Sequence, residues 1–467
     1  MKEETVTRDL LESIINNPAF SHFDLFELRY HGRYRLDITQ VGMEKTELTN
    51  GVSEGVAIRV LDGGHLGSAS TSNLNFDGLK KAIKSAVKAT RIAREPIGLP
   101  TATAPSKGLF KNPVRTYSKH VSLEEKVKDV REVQSRLVED IPGLKSSLLN
   151  YTEILDEKKI LTSDGIDLDL HDSKIIFLVD ATVNNKGQSD SITERLGKTG
   201  GYEVMNWKNL EQLIETAVER GKRVVDARKP PAGKHEVILE PQLVRLLGHE
   251  ALGHPSEADI VKGGSVLTGK LDQQLLHESI TIHDDPTLVG DFGQLPGFDD
   301  EGTPSKRTTV FQKGILRSYL HDRFTANQFD AMPTGNARAF TFTDNPLVRM
   351  TNTCFDAGNI SLDEMIEDTK HGYLLKGRKA GQADTNSEFM FGVGEGLEII
   401  KGEVTGSSIK QLTISGLALE VLGQDLLGVS KNVMTGYAGF CGKGQTAFTG
   451  GGGPFVKTRV TFGGGKK

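Results

Sequence analysis

Two histidines five residues apart set the hardest condition on this chain. They lie in LLGHEALGHPSEAD, residues 246–259, which carries His249, His254 and the carboxylates Glu250, Glu257 and Asp259. The common two-histidine metal motif spaces its rings four apart, one helical turn, so both imidazoles share a face. A spacing of five on a continuous α-helix turns them about 140° from each other. The preceding residues, PQLVRLLG, read as a helix that opens on Pro241, whose missing N–H matters least at the first position. Gly253 is a natural terminator, and His254 precedes Pro255, which disfavours the α region for His254. The sequence therefore predicts that the helix stops between the two histidines and that His254 swings back from the exit loop. A π-type widening would also bring the rings together, but the glycine and proline favour a break. Glu250, next to His249, is then placed as a general base.

Two imidazoles do not complete a catalytic metal site, which takes three protein ligands and keeps one position open. Glu257, Asp259 and His277 are near in sequence. Cys441, in TGYAGFCGKGQTAFTGGGGP, is distant but offers a thiolate flanked by glycines that permit close backbone approach. On chemistry alone Cys441 and Glu257 rank equally. The bland alternatives are a chance His-Glu pair, a hydrogen-bonded core histidine, and carboxylates that only cap the exit. GFCGKG lacks the Ser or Thr of a nucleotide loop, and FGVGEG at 391–396 reads as a turn.

The 467 residues suffice for about three domains. Four prolines between Glu95 and Lys119 and the stretch KPPAGKH mark two boundaries, giving segments 1–98, 115–228 and 233–467. The first is helix, then alternating text (FDLFELRY, HG, RYRLDITQ, EGVAIRVL, DGG, HLGSAST) that reads as hairpins, then a helix rimmed by solvated lysines. The second opens at Ser122 with Glu125 three residues on, a capping box, and continues into strands and a helix. EKTELTNG at 44–51 and EKKILTSDG at 157–165 share a faint text suggestive of duplication. The last segment, where the 52 glycines thicken, reads as many short strands with one helix, SLDEMIEDT. The fold class expected is α+β: mixed helix and antiparallel sheet, then a β-rich domain carrying the histidine helix. A net charge of −5 gives no footprint for nucleic acid. The acidic start is no signal peptide, no apolar run approaches the ~20 residues of a membrane span, and two cysteines suit a reducing cytoplasm.

HEALGH followed by EAD, RMTNT at 349–353, GQADTNSEFMFGVGEG at 381–396 and GFCGKGQ, with GVAIRVLDGGHLGSASTSNL near the start, resemble the TldD/PmbA family of metallopeptidases, specifically its active, TldD-like members with HExxxH. The resemblance spans nearly the whole chain. It implies His249, His254 and Cys441 as metal ligands, Glu250 as the catalytic carboxylate, and zinc, or another divalent transition metal such as iron, at one per chain. It further implies unfolded or leader-type peptide substrates in the cytoplasm, and a homodimer or a heterodimer with an inactive PmbA/TldE-like relative. Glu257 and Asp259 are expected around the ligands, at a point where EAD departs slightly from the LEGD-like text of many relatives. The leading expectation is hydrolysis by metal-activated water with Glu250 as base, with Arg349 and Asn352 either contacting substrate carbonyls or carboxylates or making structural hydrogen bonds. The competing readings are a thiol hydrolase with Cys441 as nucleophile and a non-catalytic half of a paired, peptide-enclosing assembly.

Overall fold

The structure is a computed structural model that describes residues 2–93, 95–185, 188–224 and 227–463. Long alternating runs build its first half. Strands β1 (Leu25–Val41), β2 (Lys45–Asp62), β3 (His65–Thr71), β4 (Ser106–Lys111), β5 (Leu144–Thr162), β6 (Ile166–Asn185) and β7 (Gln188–Thr199) form one sheet in the order β3-β2-β1-β5-β6-β4, with β7 also on β6. Because β1 pairs with both β2 and β5, the first two segments share this sheet.

Two readings of turns need correction. His31-Gly32 does not turn: His31 opposes Gly55 and Gly32 opposes Glu54 within unbroken pairing, so β1 passes straight through. Asp62-Gly63-Gly64 does turn, with φ of 57° and 80° at the glycines. The proline-rich stretch is also not wholly a linker, since β4 lies inside it and pairs in parallel with β6. Phe110 of β4 meets Phe298 edge-on at 4.7 Å, and that burial outweighs the local preference for an open linker.

Alternation gives the sheet two unlike faces. On one, α1 (Lys2–Ile15) and α2 (Phe76–Thr90) cover Phe26, Leu28, Ile58 and Val60. On the same side α3 (Leu123–Asp140) and α4 (Trp207–Val224) cover Tyr151, Ile175 and Phe177. Lys80, Lys81, Lys84 and Lys88 of α2 are exposed. Ser122 caps α3, its hydroxyl accepting from the Glu125 N–H at 3.1 Å.

The other face is charged and buried against the last segment. Arg59 bonds Glu27 at 2.6 Å and Glu301 at 2.8 Å; Lys158 reaches Asp300 at 2.6 Å; Lys174 donates to the Gln294 carbonyl at 3.1 Å. Each partner from residues 294–301 belongs to a stretch with no regular strand of its own, so two ion pairs and a hydrogen bond rather than strand pairing hold it on the sheet.

The last segment is a second, twelve-stranded sheet. Its hub is the strand Gln445–Gly463, which pairs with Gly439–Lys443, Leu412–Leu417, Gly428–Met434, β8 (Gly233–Leu239) and, in parallel, Asn352–Phe355. Glycine is obligatory in that hub: a Cβ on Gly450 would stand 1.8 Å from Asp291 Oδ1, and Gly451 has φ 108° with Thr353 O 2.0 Å from its Cβ position. Beyond the helix Leu362–Glu367 in SLDEMIEDT, short helices at Arg323–Gln328 and Ala418–Val421 were not foreseen. After β8 comes α5 (Pro241–Gly248), whose Leu243, Val244, Leu246 and Leu247 are all in the core. The fold is α+β.

Glu301 is fully buried and accepts from both Arg59 and the Arg323 N–H at 2.9 Å. Removing one partner of a buried pair costs about 3 kcal/mol or more, so Glu301→Ala should lower stability by that amount in a urea titration. A loss below ~0.5 kcal/mol, the scale of an exposed pair, would show that the tether contributes nothing.

Candidate metal centre

The expected break at Gly253 does not occur. Residues His249–Gly253 form a single π-helical turn closed by the His254 N–H on the His249 carbonyl, and His254 remains helical at φ −58°, ψ −47°. Helix then continues through His254–Ser256 and ends at Glu257, which is extended at φ −68°, ψ 122°. The widening suits both residues that argued for a stop. Pro255 has no N–H to offer an ordinary turn, and Gly253 leaves room for Met350, whose Sδ lies 2.1 Å from where a Cβ would be. The extra residue carries the two rings to one side, centroids 5.1 Å apart at 74°.

Cys441 faces them from the strand Gly439–Lys443, which turns back at Gly444 into the hub strand. Its Sγ is 3.1 Å from His254 Nε2, across 187 residues of sequence. One donor atom from each of His249, His254 and Cys441 falls within a 4.8 Å cluster. Glu250 is a quarter exposed (25%), with Oε2 3.8 Å from His254 Nε2. His277 is exposed and receives the Ser279 N–H on Nδ1 at 3.1 Å, outside the cluster.

Glu257, fully buried, lies behind His254. Its Oε2 accepts from His254 Nδ1 at 2.9 Å, which turns Nε2 toward the thiol. A carboxylate on the far nitrogen is the usual support of a ligating histidine. Lys443 balances the charge: its Nζ is 3.0 Å from Glu257, 2.8 Å from Asp259 Oδ2 and 2.6 Å from the Val348 carbonyl. Sequence reasoning passed over Lys443, although its position two residues after Cys441, on the same side of one strand, was available as a signal.

Arg349 and Asn352, expected either to touch substrate or to make structural hydrogen bonds, are spent on the scaffold. Arg349, 1% exposed, donates to the Cys441 carbonyl at 2.8 Å and the Gln445 carbonyl at 2.7 Å, bracing the hairpin. Asn352, fully buried, accepts from Gly293 N–H at 2.9 Å and donates to the Asp285 carbonyl at 2.8 Å.

Electrostatics separate the groups. Burial works against a charged His254, but Glu257 and the Cys441 thiol outweigh it and raise its pKa to about 10. Burial likewise opposes a Cys441 thiolate, and the hydrogen bond with His254 overcomes it, lowering the thiol below its ordinary value. His249 is held far below the usual imidazole range by burial, then by Arg245 and His254, and so is a neutral donor. Cys354 is pushed up by burial. The two nitrogens and one low-lying thiol form a donor set that fits a borderline-soft divalent ion.

Comparison with known proteins identifies the family. The chain matches the PmbA/TldA metallopeptidase C-terminal domain over residues 232–463 and domain 1 over residues 26–90. It is 33% identical over 422 residues to a metalloprotease of Methanothermobacter thermautotrophicus, 90% of each chain, and 28% identical over 442 residues to a zinc metalloprotease TldD homolog of Saccharolobus solfataricus, 93% and 95% of the two chains. The chain belongs to the PmbA/TldD family of metallopeptidases. Among solved structures it resembles a putative modulator of a DNA gyrase from Thermotoga maritima (TM-score 0.79, 19% identity, 99% and 100% covered). It also resembles TldE from Thermococcus kodakarensis (TM-score 0.77, 19% identity, 97% and 100% covered). At that identity the likeness is one of fold.

In chelator-treated protein at pH 7, Cys441 should be alkylated at least ~10-fold faster than Cys354, since each pKa unit of separation is a factor of ten in thiolate. Glu257→Gln should narrow the gap by weakening His254 as a partner. Peptide mapping of the alkylated sites reads both, and preferential labelling of Cys354 would mean that the thiol–imidazole pair is absent in solution.

Proposed function

We propose that this chain is a peptidase in which His249, His254 and Cys441 hold one divalent transition metal, zinc by its donor set, and Glu250 is the general base. The observation that carries the reading is the convergence of three donor atoms within 4.8 Å from two remote stretches. Glu257 adds support by hydrogen bonding the nitrogen of His254 that faces away from Cys441. A bound ion of this kind supplies Lewis acidity toward water and the scissile carbonyl. Glu250 is partly open to solvent beside the donors, so it takes a proton from the attacking water and returns it to the leaving amine. Glu257, Asp259 and Lys443 hold the ligands in register and touch no substrate. Relatives named as metalloproteases support the activity, and one named for zinc supports the metal.

Substrates on this reading are unfolded or leader-type peptides, and the chain works in the cytoplasm, where free Cys354 and Cys441 stay reduced. No helix among the described residues is long and apolar enough to cross a membrane. The likeness to a chain called TldE supports assembly with an inactive relative of the same fold, a homodimer being the competitor. One observation favours a second chemistry: the 3.1 Å contact of Cys441 with His254 is also the geometry of a thiol nucleophile and its base.

Metal content and hydrolysis of a denatured protein substrate separate the two. Glu250→Gln should lose turnover by ~100-fold or more, within the range for a general base, while retaining one metal per chain. Cys441→Ser should lose metal and activity together, and chelator should silence the wild type. Full metal in Cys441→Ser with no activity, and indifference to chelator, would instead establish the thiol mechanism.

Coexpression with an inactive relative encoded in the same cell should give a copurifying pair more active than this chain alone. Size exclusion with mass detection reads the assembly, and equal activity from the single chain would make the partner unnecessary.

A further inference from the structure

Three guanidiniums gather around Ala438 and Gly439, at the start of the strand that carries Cys441, and among the described residues no carboxylate is bonded to them. Arg245, one turn before His249 on α5, donates to the Gly450 carbonyl at 3.0 Å and to Thr449 Oγ1 at 2.7 Å. Arg378, on the strand His371–Ala383, donates through Nη2 to the Ala438 carbonyl at 3.0 Å. Arg195, on β7, donates through Nη1 to that same carbonyl at 3.4 Å. Among the described residues, none of the three has an Asp or Glu oxygen within the 4.0 Å of an ion pair. A protein that pairs Arg59, Arg220, Arg223 and Lys158 with buried carboxylates leaves these three cations bound only to neutral oxygens.

Local structure aims them there. The strand carrying Arg378 has a bulge between Arg378 and Gly381, a device that redirects a side chain next to a site. It is kinked again at Gly377, with φ 70°, where a Cβ would lie 2.5 Å from the Arg220 guanidinium. The Arg378 N–H is fixed on Gln242 Oε1 at 3.2 Å. Arg195 arrives from the other sheet. That approach requires Gly197, whose Cβ would be 2.4 Å from the Ala438 side chain, and it is pinned by Lys379 on Asp190 at 2.7 Å.

Arg245 is sealed in the core, but Arg195 and Arg378 are only half-buried. Arg195 Nε is buried without a partner. The other guanidinium nitrogens of Arg378 are neither hydrogen-bonded nor among the buried unpaired atoms, so solvent reaches them. Burial, then Arg195 and Arg245, bring Arg378 down to about 9, and Glu250 is the carboxylate whose field opposes them. Ala438, whose carbonyl receives both Arg378 and Arg195, lies three residues before Cys441, on the approach to the donor cluster. A guanidinium offers up to five N–H donors in a planar fork suited to a carboxylate. Here most of two forks stand unused beside the Ala438 carbonyl.

We propose that Arg378 and Arg195 bind a carboxylate of the peptide substrate next to the bond on which Glu250 acts. The proposal rests on the peptidase reading and adds a specificity to it: the enzyme selects peptides presenting an anion close to the cleavage point. That anion is either the free C-terminus or an Asp or Glu side chain, which share the chemistry. Arg245 contributes field and holds the glycine strand; Arg378 and Arg195 make the contact.

The test uses the metal-loaded full chain and four fluorescent peptides of one sequence: free C-terminal acid, C-terminal amide, amide with one internal Glu, and amide with Gln in its place. Binding is read by anisotropy and hydrolysis by kcat/KM. The wild type should prefer the acid over the amide, or Glu over Gln, by at least ~10-fold, the low end for a hydrogen bond to a charged group; which pair discriminates identifies the source. Arg378→Gln and Arg195→Gln should each reduce that ratio, the double variant should abolish it, and Arg378→Lys should restore part. Arg35→Gln, at an exposed pair with Asp37, should leave the ratio unchanged. Equal treatment of all four peptides by the wild type overturns the proposal whatever the variants do. So does a ratio that survives in the double variant. Selective binding without hydrolysis would leave the anion site standing and remove the peptidase reading, so the two fail separately.

Discussion

The His254 N–H reaches back five residues to the His249 carbonyl, and the geometry of the centre depends on that bond. With the ordinary four-residue reach the rings would diverge by about 140°; with five they meet at 5.1 Å. π-turns are uncommon because they sacrifice packing along the helix axis, so the neighbours must support this one. Leu246, Leu247, Ala251 and Leu252 anchor it on both sides in the core, and Met350 fills the groove left by Gly253. Glu257 then leaves the helix and hooks back to His254, while its other oxygen receives the Met350 N–H at 3.3 Å. The same methionine thus packs against the turn and aligns the carboxylate that orients it.

The third donor reaches this turn by a different route. Cys441 lies on a short strand whose shape is set by the hub beside it, and the hub comes close to residues 352–354 only because Gly450–Gly452 carry no side chains. Three cations then fasten the parts: Arg349 and Arg245, both buried, grip the hairpin carbonyls and the glycine run, and the half-buried Lys443 ties the strand end to Glu257 and Asp259. These bonds go largely to backbone carbonyls. For Arg349 and Arg245 these bonds fix position, where a carboxylate partner would have neutralised charge.

Much of this was legible in the sequence, for identifiable reasons. α2, α3 and α5 followed from apolar periodicity, a serine cap and an N-terminal proline, all local signals. The donor cluster was legible as residue types; that Glu257 is a support, with Cys441 in the donor cluster, was not decided by spacing, because it depends on a contact 187 residues long. The helix break was misjudged because Gly253 and Pro255 are read as terminators one at a time, whereas tertiary packing on Met350 accepts both inside a widened turn. His31-Gly32 misled similarly: a glycine between two polar-apolar runs looks like a turn until pairing on both sides, with β2 and β5, holds it straight. For Arg349 and Asn352 the sequence leaves substrate contact and structural hydrogen bonding equally open, because residue type alone does not separate them, and burial reveals that the backbone claims both.

The charged face of the first sheet has a bearing on how the chain is made. All seven strands of that sheet are complete by residue 199, yet Glu301 and Asp300, which pair with Arg59 and Lys158, and the Gln294 carbonyl that receives Lys174, come only at 294–301. A ribosome adding about 5–20 residues per second exposes this half-finished face for several seconds before its cover emerges. An apolar face waiting that long would invite association with neighbouring nascent chains. A hydrated charged face, already part-paired through Glu27 with Arg59 and Asp172 with Lys174, does not, and the late-arriving acidic stretch can close over it without first displacing a wrong partner.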